Sequence, residues 1–297
     1  MIFFYFIALA AALAWSVSSL ISADVTRKIG GLVFNRIRLF MVSIMLILYT
    51  TYIGTWDTLN YHNLILILIS GFIGIFLGDT LLFIALQKIG PRRNNILFSL
   101  AAPFTVLLNI IFLNEIMNII NLIGCFVVFF GVLIAIIYGS NKNNEHRWEV
   151  IEGSLKLGVT MGVLAAFCQA SGLIIMKPVL DSGVDPIASA SIRTTISFLL
   201  LSFTFFLKSK NFLSKSKINM KIIFKIFISG FLGMAVGMSL LLIALQNADA
   251  GIVATLSSTS PIIVLFLIWI LTSKMPTIGA WLGTIIAILG TSLIFVY

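Results

Sequence analysis

Residues 69–87 read ISGFIGIFLGDTLLFIALQ, and residues 228–246 read ISGFLGMAVGMSLLLIALQ. The two stretches are identical at 12 of 19 positions and lie 159 residues apart, far more identity than a shared apolar composition would produce. Each stretch is apolar over nearly its whole length, as a transmembrane helix requires. The sequence therefore predicts a duplicated membrane-spanning unit.

The duplication extends beyond these two stretches. A proline, two glycines and an arginine recur in the same order in both halves of the chain. These pairs are Pro103 with Pro261, Gly124 with Gly283, Gly131 with Gly290, and Arg38 with Arg193. The repeat therefore covers most of the chain.

The composition identifies the class of protein. Of the 297 residues, 60% are hydrophobic and 10% are charged, whereas soluble domains carry about 25% charged residues. A soluble domain of this length is excluded. The net charge of +9 does not indicate nucleic-acid binding, because the basic residues lie in short segments between apolar runs, as in the cytoplasmic loops of membrane proteins. The sequence predicts an all-α integral membrane protein whose surroundings are the lipid bilayer.

The apolar runs predict ten transmembrane helices, five in each half. The first run is expected to be a span and not a signal peptide, because it lacks a basic n-region. We expect a first five-helix repeat over 1–139, a polar linker over 140–154 and a second repeat over 155–297. The predicted spans are 2–21, 32–54, 64–87, 94–113, 117–138, 155–176, 187–207, 222–246, 251–273 and 277–296.

An odd number of spans per repeat gives the two halves opposite orientations in the membrane, as in many secondary transporters. The odd-numbered connections contain fifteen Lys and Arg residues, whereas the even-numbered ones contain only Lys177. By the positive-inside rule, the odd-numbered connections are cytoplasmic and both termini are extracytoplasmic.

Two ionisable residues lie well inside predicted spans. A charged residue at mid-membrane costs about 2.5–3.5 kcal/mol on insertion scales, so Asp79 in the third span and Arg38 in the second each need a physical reason. They lie at similar depth from the same membrane face. One interpretation is a structural ion pair, and the other is a pair at a cavity wall that opens to take a proton or a substrate charge.

Arg193, the repeat counterpart of Arg38, has no equivalent carboxylate, because Met238 occupies the position that corresponds to Asp79. The Arg193 side chain is expected either to extend to the membrane interface or to bind an anionic group of a substrate, since a guanidinium binds carboxylates in a bidentate way.

Further polar residues lie in predicted spans at related places in the two halves. Serines and glutamine in membrane bundles either join helices through hydrogen bonds or line a cavity, and both interpretations stay open. They are Trp15, Ser18 and Ser19 in the first span, Gln169 and Ser171 in the sixth, and Ser99, Ser257 and Ser258 just before the central prolines.

Enzymatic chemistry finds no support. His62 and His146 lie in connections, and no metal-ligand cluster, nucleophile–base pair or phosphate-binding loop is present in the sequence. We therefore expect no enzyme activity, no cofactor and no bound metal.

Several motifs, taken in order, resemble a known family. They are Gly78-Asp79-Thr80-Leu81-Leu82-Phe83-Ile84-Ala85-Leu86, Gly90-Pro91-Arg92-Arg93, Ser99-Leu100-Ala101-Ala102-Pro103 and Phe112-Leu113-Asn114-Glu115. With the five-span halves, this order is similar to EamA-type transporters of the drug/metabolite transporter superfamily. Lys274 departs from the pattern, because the second half of relatives often has Glu there.

The resemblance implies two inverted five-helix repeats around a central cavity, and export or exchange of a small metabolite such as an amino acid across a bacterial inner membrane. The alternative is a flippase for a lipid-linked or amphipathic substrate, and the remaining class is a receptor or scaffold. Proton coupling, ion coupling and uncoupled transport all stay open, as do monomer and homodimer.

Overall fold

The computed structural model describes residues 2–113, 118–138, 150–203, 213–247, 256–257 and 259–296. These ranges are helical apart from short turns, and they contain no strand. The prediction of an all-α protein is confirmed for this part of the chain.

The first half contains six α-helices with a π-helical segment and a short 3-10 turn. They are α1 (Ile2–Ile29), α2 (Gly31–Ile53), the 3-10 turn Thr55–Thr58, α3 (Tyr61–Ser70), the π segment Gly71–Leu77, α4 (Gly78–Phe98), α5 (Ala101–Leu113) and α6 (Ile119–Ile137). The second half contains α7 (Leu155–Asp181), α8 (Pro186–Phe203), α9 (Met220–Gly230), the π segment Phe231–Val236, α10 (Gly237–Asn247), α11 (Ser260–Thr272) and α12 (Ile278–Val296).

Among the described residues, seven helices are long and apolar enough to cross a membrane, and three shorter apolar helices lie in the regions of the remaining predicted spans. The chain is therefore a multi-pass membrane protein, and the number ten stays a prediction. Several boundaries differ from the expected ones, including the end of α7 at Asp181 in place of residue 176, and two of the differences are large.

The first difference is at α1, which continues to Ile29 instead of ending near residue 21. The added turns contain polar residues, and Asp24 among them forms ion pairs with Lys28 and Lys225. The second is at Gly90, whose φ of 81° bends α4 just before Pro91. Glycine adopts this positive φ without steric cost, and Pro91 has no backbone N–H to lose. Helix α4 therefore runs past the predicted end of the third span, bends at Gly90 and ends at Phe98. The turn at Ser99 and Leu100 interrupts the predicted fourth span, most of which is α5.

The two halves share local detail as well as sequence. A π segment occurs at the same place in each repeat. Each preceding helix begins at an asparagine whose side chain accepts a backbone hydrogen bond, Asn60 from Asn63 and Asn219 from Ile222. π segments inside α-helices occur frequently at functional sites. The segments between α3 and α4 and between α9 and α10 are therefore candidate parts of a functional site.

The halves pack through reciprocal contacts. Helix α1 packs against α9, the second π segment, α10 and α11, whereas α7 packs against α3, the first π segment, α4 and α5. Helix α2 packs against α8, and α6 packs against α12. Arg38 and Arg193 project from α2 and α8, so both lie where the two repeats meet.

Candidate functional site

The Arg38 guanidinium is held by a carboxylate and an aromatic ring. Its Nη1 lies 2.9 Å from Oδ2 of Asp79, and its guanidinium carbon lies 4.8 Å from the centroid of the Phe83 ring. A second, longer hydrogen bond of 3.5 Å reaches Oδ1 of Asn35. The side chains of Arg38 and Asp79 are 7% and 14% exposed. The predicted proximity of Arg38 and Asp79 is therefore observed, and both side chains are largely buried.

Arg193 lies in a different environment. The residue is 6% exposed, so the side chain does not extend to the membrane surface, and that interpretation is wrong. Its guanidinium donates no hydrogen bond to any residue that the structure describes, and its Nε, like that of Arg38, is fully buried without an acceptor. Asp79 acts on it electrostatically, but no acidic oxygen of the described chain lies within 4 Å. The result is a buried cation without a direct anionic partner.

Two glycines create the space for Arg193. A Cβ on Gly74, in the first π segment, would lie 3.2 Å from Nη2 of Arg193. A Cβ on Gly172, in α7, would lie 3.5 Å from the same nitrogen and 2.8 Å from the Gly74 Cα. The guanidinium therefore packs where two backbones approach closely, and any side chain at either glycine would compete with it.

The equivalent place in the other repeat is filled by side chains of α1. Trp15 Nε1 donates to the carbonyl of Gly233 at 2.8 Å, and the Ser18 hydroxyl donates to the carbonyl of Ser229 at 2.8 Å. A Cβ on Gly233, the counterpart of Gly74, would lie 2.7 Å from the Ser18 hydroxyl oxygen. A serine thus occupies the space that Gly172 leaves open on the Arg193 side.

The other predicted residues are more dispersed. Ser19 accepts a hydrogen bond of 2.7 Å from Asn95. Ser99 and Ser171 each donate to a carbonyl of their own segment, so their hydroxyls are satisfied locally. Gln169 is half-buried. Ser257 is buried, and Ser258 lies outside the described residues.

Sequence reasoning missed a buried acidic residue, Asp24. It is 8% exposed, and its Oδ2 lies 2.6 Å from Nζ of Lys225 and 3.5 Å from Nζ of Lys28. The span boundary at residue 21 had placed Asp24 in a loop. The spacing of four residues between Asp24 and Lys28 was a usable signal, because such pairs face each other on a helix.

The serine cluster beside Trp15 was also only half identified. Ser22 and Ser229 complete it, with hydroxyl oxygens 2.7 Å apart. Every hydroxyl in this cluster has a partner, so it joins α1 to α9 and offers no free group to a ligand.

An apolar recess of about 250 Å³ is lined by residues of α2, the 3-10 turn, α3 and α8. Its lining includes Ile47, Trp56 and Leu68, and it contains neither arginine. It is separate from the candidate site.

Comparison with known proteins agrees with the repeat. Residues 2–137 and 156–296 each match the EamA-like transporter family. An uncharacterized transporter of Synechocystis sp. is 25% identical over 235 residues, which cover 78% of this chain and 65% of that protein, so the match spans slightly less than two thirds of the relative's length. A solved crystal structure superposes with a TM-score of 0.68 over 98% of this chain and 95% of its own, at 13% identity, which shows a shared fold. Because the family match covers both repeats, this chain belongs to the EamA-like transporter family, which points to a transporter and not to an enzyme.

Proposed function

We propose that the protein is a secondary transporter, an exporter or exchanger, that moves a small polar metabolite, such as an amino acid or a related compound, across the bacterial inner membrane. Transport occurs by alternating access between two five-helix halves of opposite orientation. The observation that carries the proposal is Arg193, a buried guanidinium with no direct hydrogen-bond partner among the described residues, located where the halves meet.

The depth of the arginines supports this location. Arg38 and Arg193 each lie seven residues from the start of their helices, α2 and α8. At 1.5 Å per residue, this is about 10 Å from the helix end. In an inverted arrangement the two helix starts face opposite sides of the membrane, so both arginines approach the midplane. Substrate sites of inverted-repeat transporters lie at that level.

The remaining site residues form the wall of the proposed path. Arg193 binds the substrate, while Arg38 and Asp79 supply the polar surroundings on the first repeat. The other candidates lie on the first, sixth, fourth and ninth predicted spans, namely Trp15, Ser18, Ser19, Ser99, Gln169, Ser171, Ser257 and Ser258. The hydroxyls of Ser18, Ser99 and Ser171 already donate to backbone carbonyls, so these three residues shape the path and do not bind the solute.

We place both termini outside the cytoplasm. The excess of Lys and Arg in the odd-numbered connections supports this orientation, and several of these connections contact one another. Lys225 pairs with Asp24, Lys215 with Glu152, and Arg27 donates to the carbonyl of Val150 at 2.7 Å. Reporter fusions at Tyr297 test the orientation, and a signal from a cytoplasm-specific reporter would overturn it.

The transport experiment uses the purified full chain in liposomes with a panel of labelled amino acids, organic acids and nucleotides. We expect saturable uptake of one class by the wild type and its loss in Arg193→Ala. Arg193→Lys should retain part of it, because an ammonium keeps the charge but not the planar fork. Lys221→Ala, which removes an exposed cation, is the control.

Two results would contradict the proposal. One is wild-type kinetics in Arg193→Ala, and the other is movement of a labelled lipid between leaflets with no solute transported. The second would favour the flippase.

A further inference from the structure

The formal charges at the meeting point of α2, α4 and α8 do not cancel. Arg38 and Arg193 are both buried, and Asp79, which pairs with Arg38 at 2.9 Å, is the one carboxylate of the described residues that acts on both. The other acidic side chain that the described helices bury is Asp24, and it pairs with Lys225 and Lys28. The group of three therefore carries a formal charge of +1.

The surplus charge resides on Arg193. Arg38 has three fixed partners, the carboxylate of Asp79, the amide of Asn35 and the face of Phe83. Arg193 contacts Gly74 and Gly172, which offer it no side-chain acceptor. An isolated buried charge is costly, and a carboxylate relieves that cost best because its two oxygens match the guanidinium fork.

We infer that Arg193 binds the carboxylate of a ligand whose net charge is −1, so that the transported solute is a small monocarboxylate. This inference rests on the proposed function and narrows its solute to a monocarboxylate, which sets aside the zwitterionic amino acid named there as an example. A bound monocarboxylate brings the formal charge of the group from +1 to zero. A dicarboxylate would leave it at −1, and the second carboxylate would have no cation among these three residues.

Zwitterions and cations fit less well. An ammonium group needs an anion, and the Asp79 carboxylate is already engaged by Arg38. In the second repeat Met238 stands where the first has Asp79, so the duplication supplies no second carboxylate. The lack of a carboxylate at position 238 therefore leaves Arg193 without a partner and also disfavours a ligand with a positive group.

Binding is measured on the full chain in detergent, by thermal unfolding at constant ionic strength with sodium chloride as the reference. The probes are lactate and pyruvate as monocarboxylates, lactamide as the neutral match, alanine as the zwitterion and malate as the dianion. Constant ionic strength removes general screening. We expect a saturable rise of the unfolding temperature with the monocarboxylates and none with lactamide.

Two variants assign the effect to Arg193. Arg193→Met should weaken the apparent affinity by about tenfold to a hundredfold, the loss of one charge-assisted hydrogen-bonding group. Arg193→Lys should fall between Arg193→Met and the wild type, and it keeps the test valid if the methionine variant does not fold. Lys221→Met, which removes an exposed cation, should bind as the wild type does.

The inference is overturned by no shift with either monocarboxylate, by an equal shift with lactamide, by a preference for alanine or malate, or by retained binding in Arg193→Met. Transport in liposomes separates this failure from failure of the proposed function. Saturable transport of a neutral or cationic solute without carboxylate binding would refute the monocarboxylate and keep the transporter. Carboxylate binding without transport of the bound compound would keep the site and refute its role in transport.

Discussion

Arg38 and Arg193 occupy the same position in two copies of one repeat, yet their surroundings differ. Arg38 donates to Asp79 and lies over Phe83, whereas Arg193 packs against two glycines and donates to no described residue. Both repeats have the arginine, but only the first repeat has a carboxylate that pairs with it. In the function proposed above, Arg38 stabilises the bundle and Arg193 binds the ligand.

The neighbouring helix shows the same division. Beside Gly233, the hydroxyls of Ser18, Ser22 and Ser229 satisfy one another. Beside Gly74, the crossing helix presents Gly172, and the single Ser70 hydroxyl donates to its carbonyl at 2.7 Å. In the first repeat, Arg38 is thus paired with Asp79. Hydrogen bonds between serines join α1 to α9 where these helices cross. The crossing of α7 with the first π segment encloses the unpaired guanidinium.

The strongest test of this comparison is Asp79→Asn. The change removes the anion and leaves Arg38 buried, which costs about 3–5 kcal/mol when one partner of a buried pair is lost. We expect the free energy of unfolding in mixed micelles to fall by that amount. Asp57→Asn, at an exposed carboxylate, is the control. A loss as small as that of the control would mean that the pair contributes nothing to stability.

Arg193→Met should act in the opposite direction. Arg193 has no described hydrogen-bond partner that its removal would leave unsatisfied. Replacing it by an apolar side chain therefore removes a buried charge whose cost is up to about 2.5–3.5 kcal/mol on insertion scales. We expect an unchanged or higher free energy of unfolding, measured beside Arg38→Met, which should lose stability. A clear loss for Arg193→Met would show that Arg193 is a structural anchor.

The glycines should also respond unequally. A Cβ on Gly172 would lie 2.8 Å from the backbone Cα of Gly74, so Gly172→Ala forces α7 and the π segment apart at about 1–3 kcal/mol. A Cβ on Gly233 meets the Ser18 hydroxyl, which can rotate. We expect the smaller loss for Gly233→Ala, and unfolding of both variants in mixed micelles measures it. Equal losses would remove this part of the contrast.

The smallest expected difference concerns two serines 159 positions apart. Ser229 contacts two hydroxyls, those of Ser18 and Ser22, whereas Ser70 makes one hydrogen bond. Hydrogen bonds between membrane helices contribute about 0.6 kcal/mol on average and about 1.7 at most. Ser229→Ala should therefore cost more than Ser70→Ala in the same unfolding assay. The reverse order would indicate that the serine cluster is not cooperative.

Much of the fold follows from the sequence by itself. The apolar composition requires a bilayer, and the identities at an offset of 159 residues establish the duplication. Even the Arg38–Asp79 contact was predictable, because both residues lie at similar depth in neighbouring spans and a buried charge needs a partner. These features depend on helical period, chain order and depth, all of which are local properties of a sequence.

Only the tertiary structure shows that Arg193 is buried without a hydrogen-bond partner among the described residues. Its burial depends on Gly74 and Gly172, which lie 119 and 21 residues away and on different helices, and its orientation toward them is set by how α7 crosses the first π segment. The extension of α1 through Asp24 depends in the same way on Lys225, 201 residues later. Such contacts come from packing between helices that are distant in the sequence. The order of residues along the chain does not indicate which of these side chains will meet.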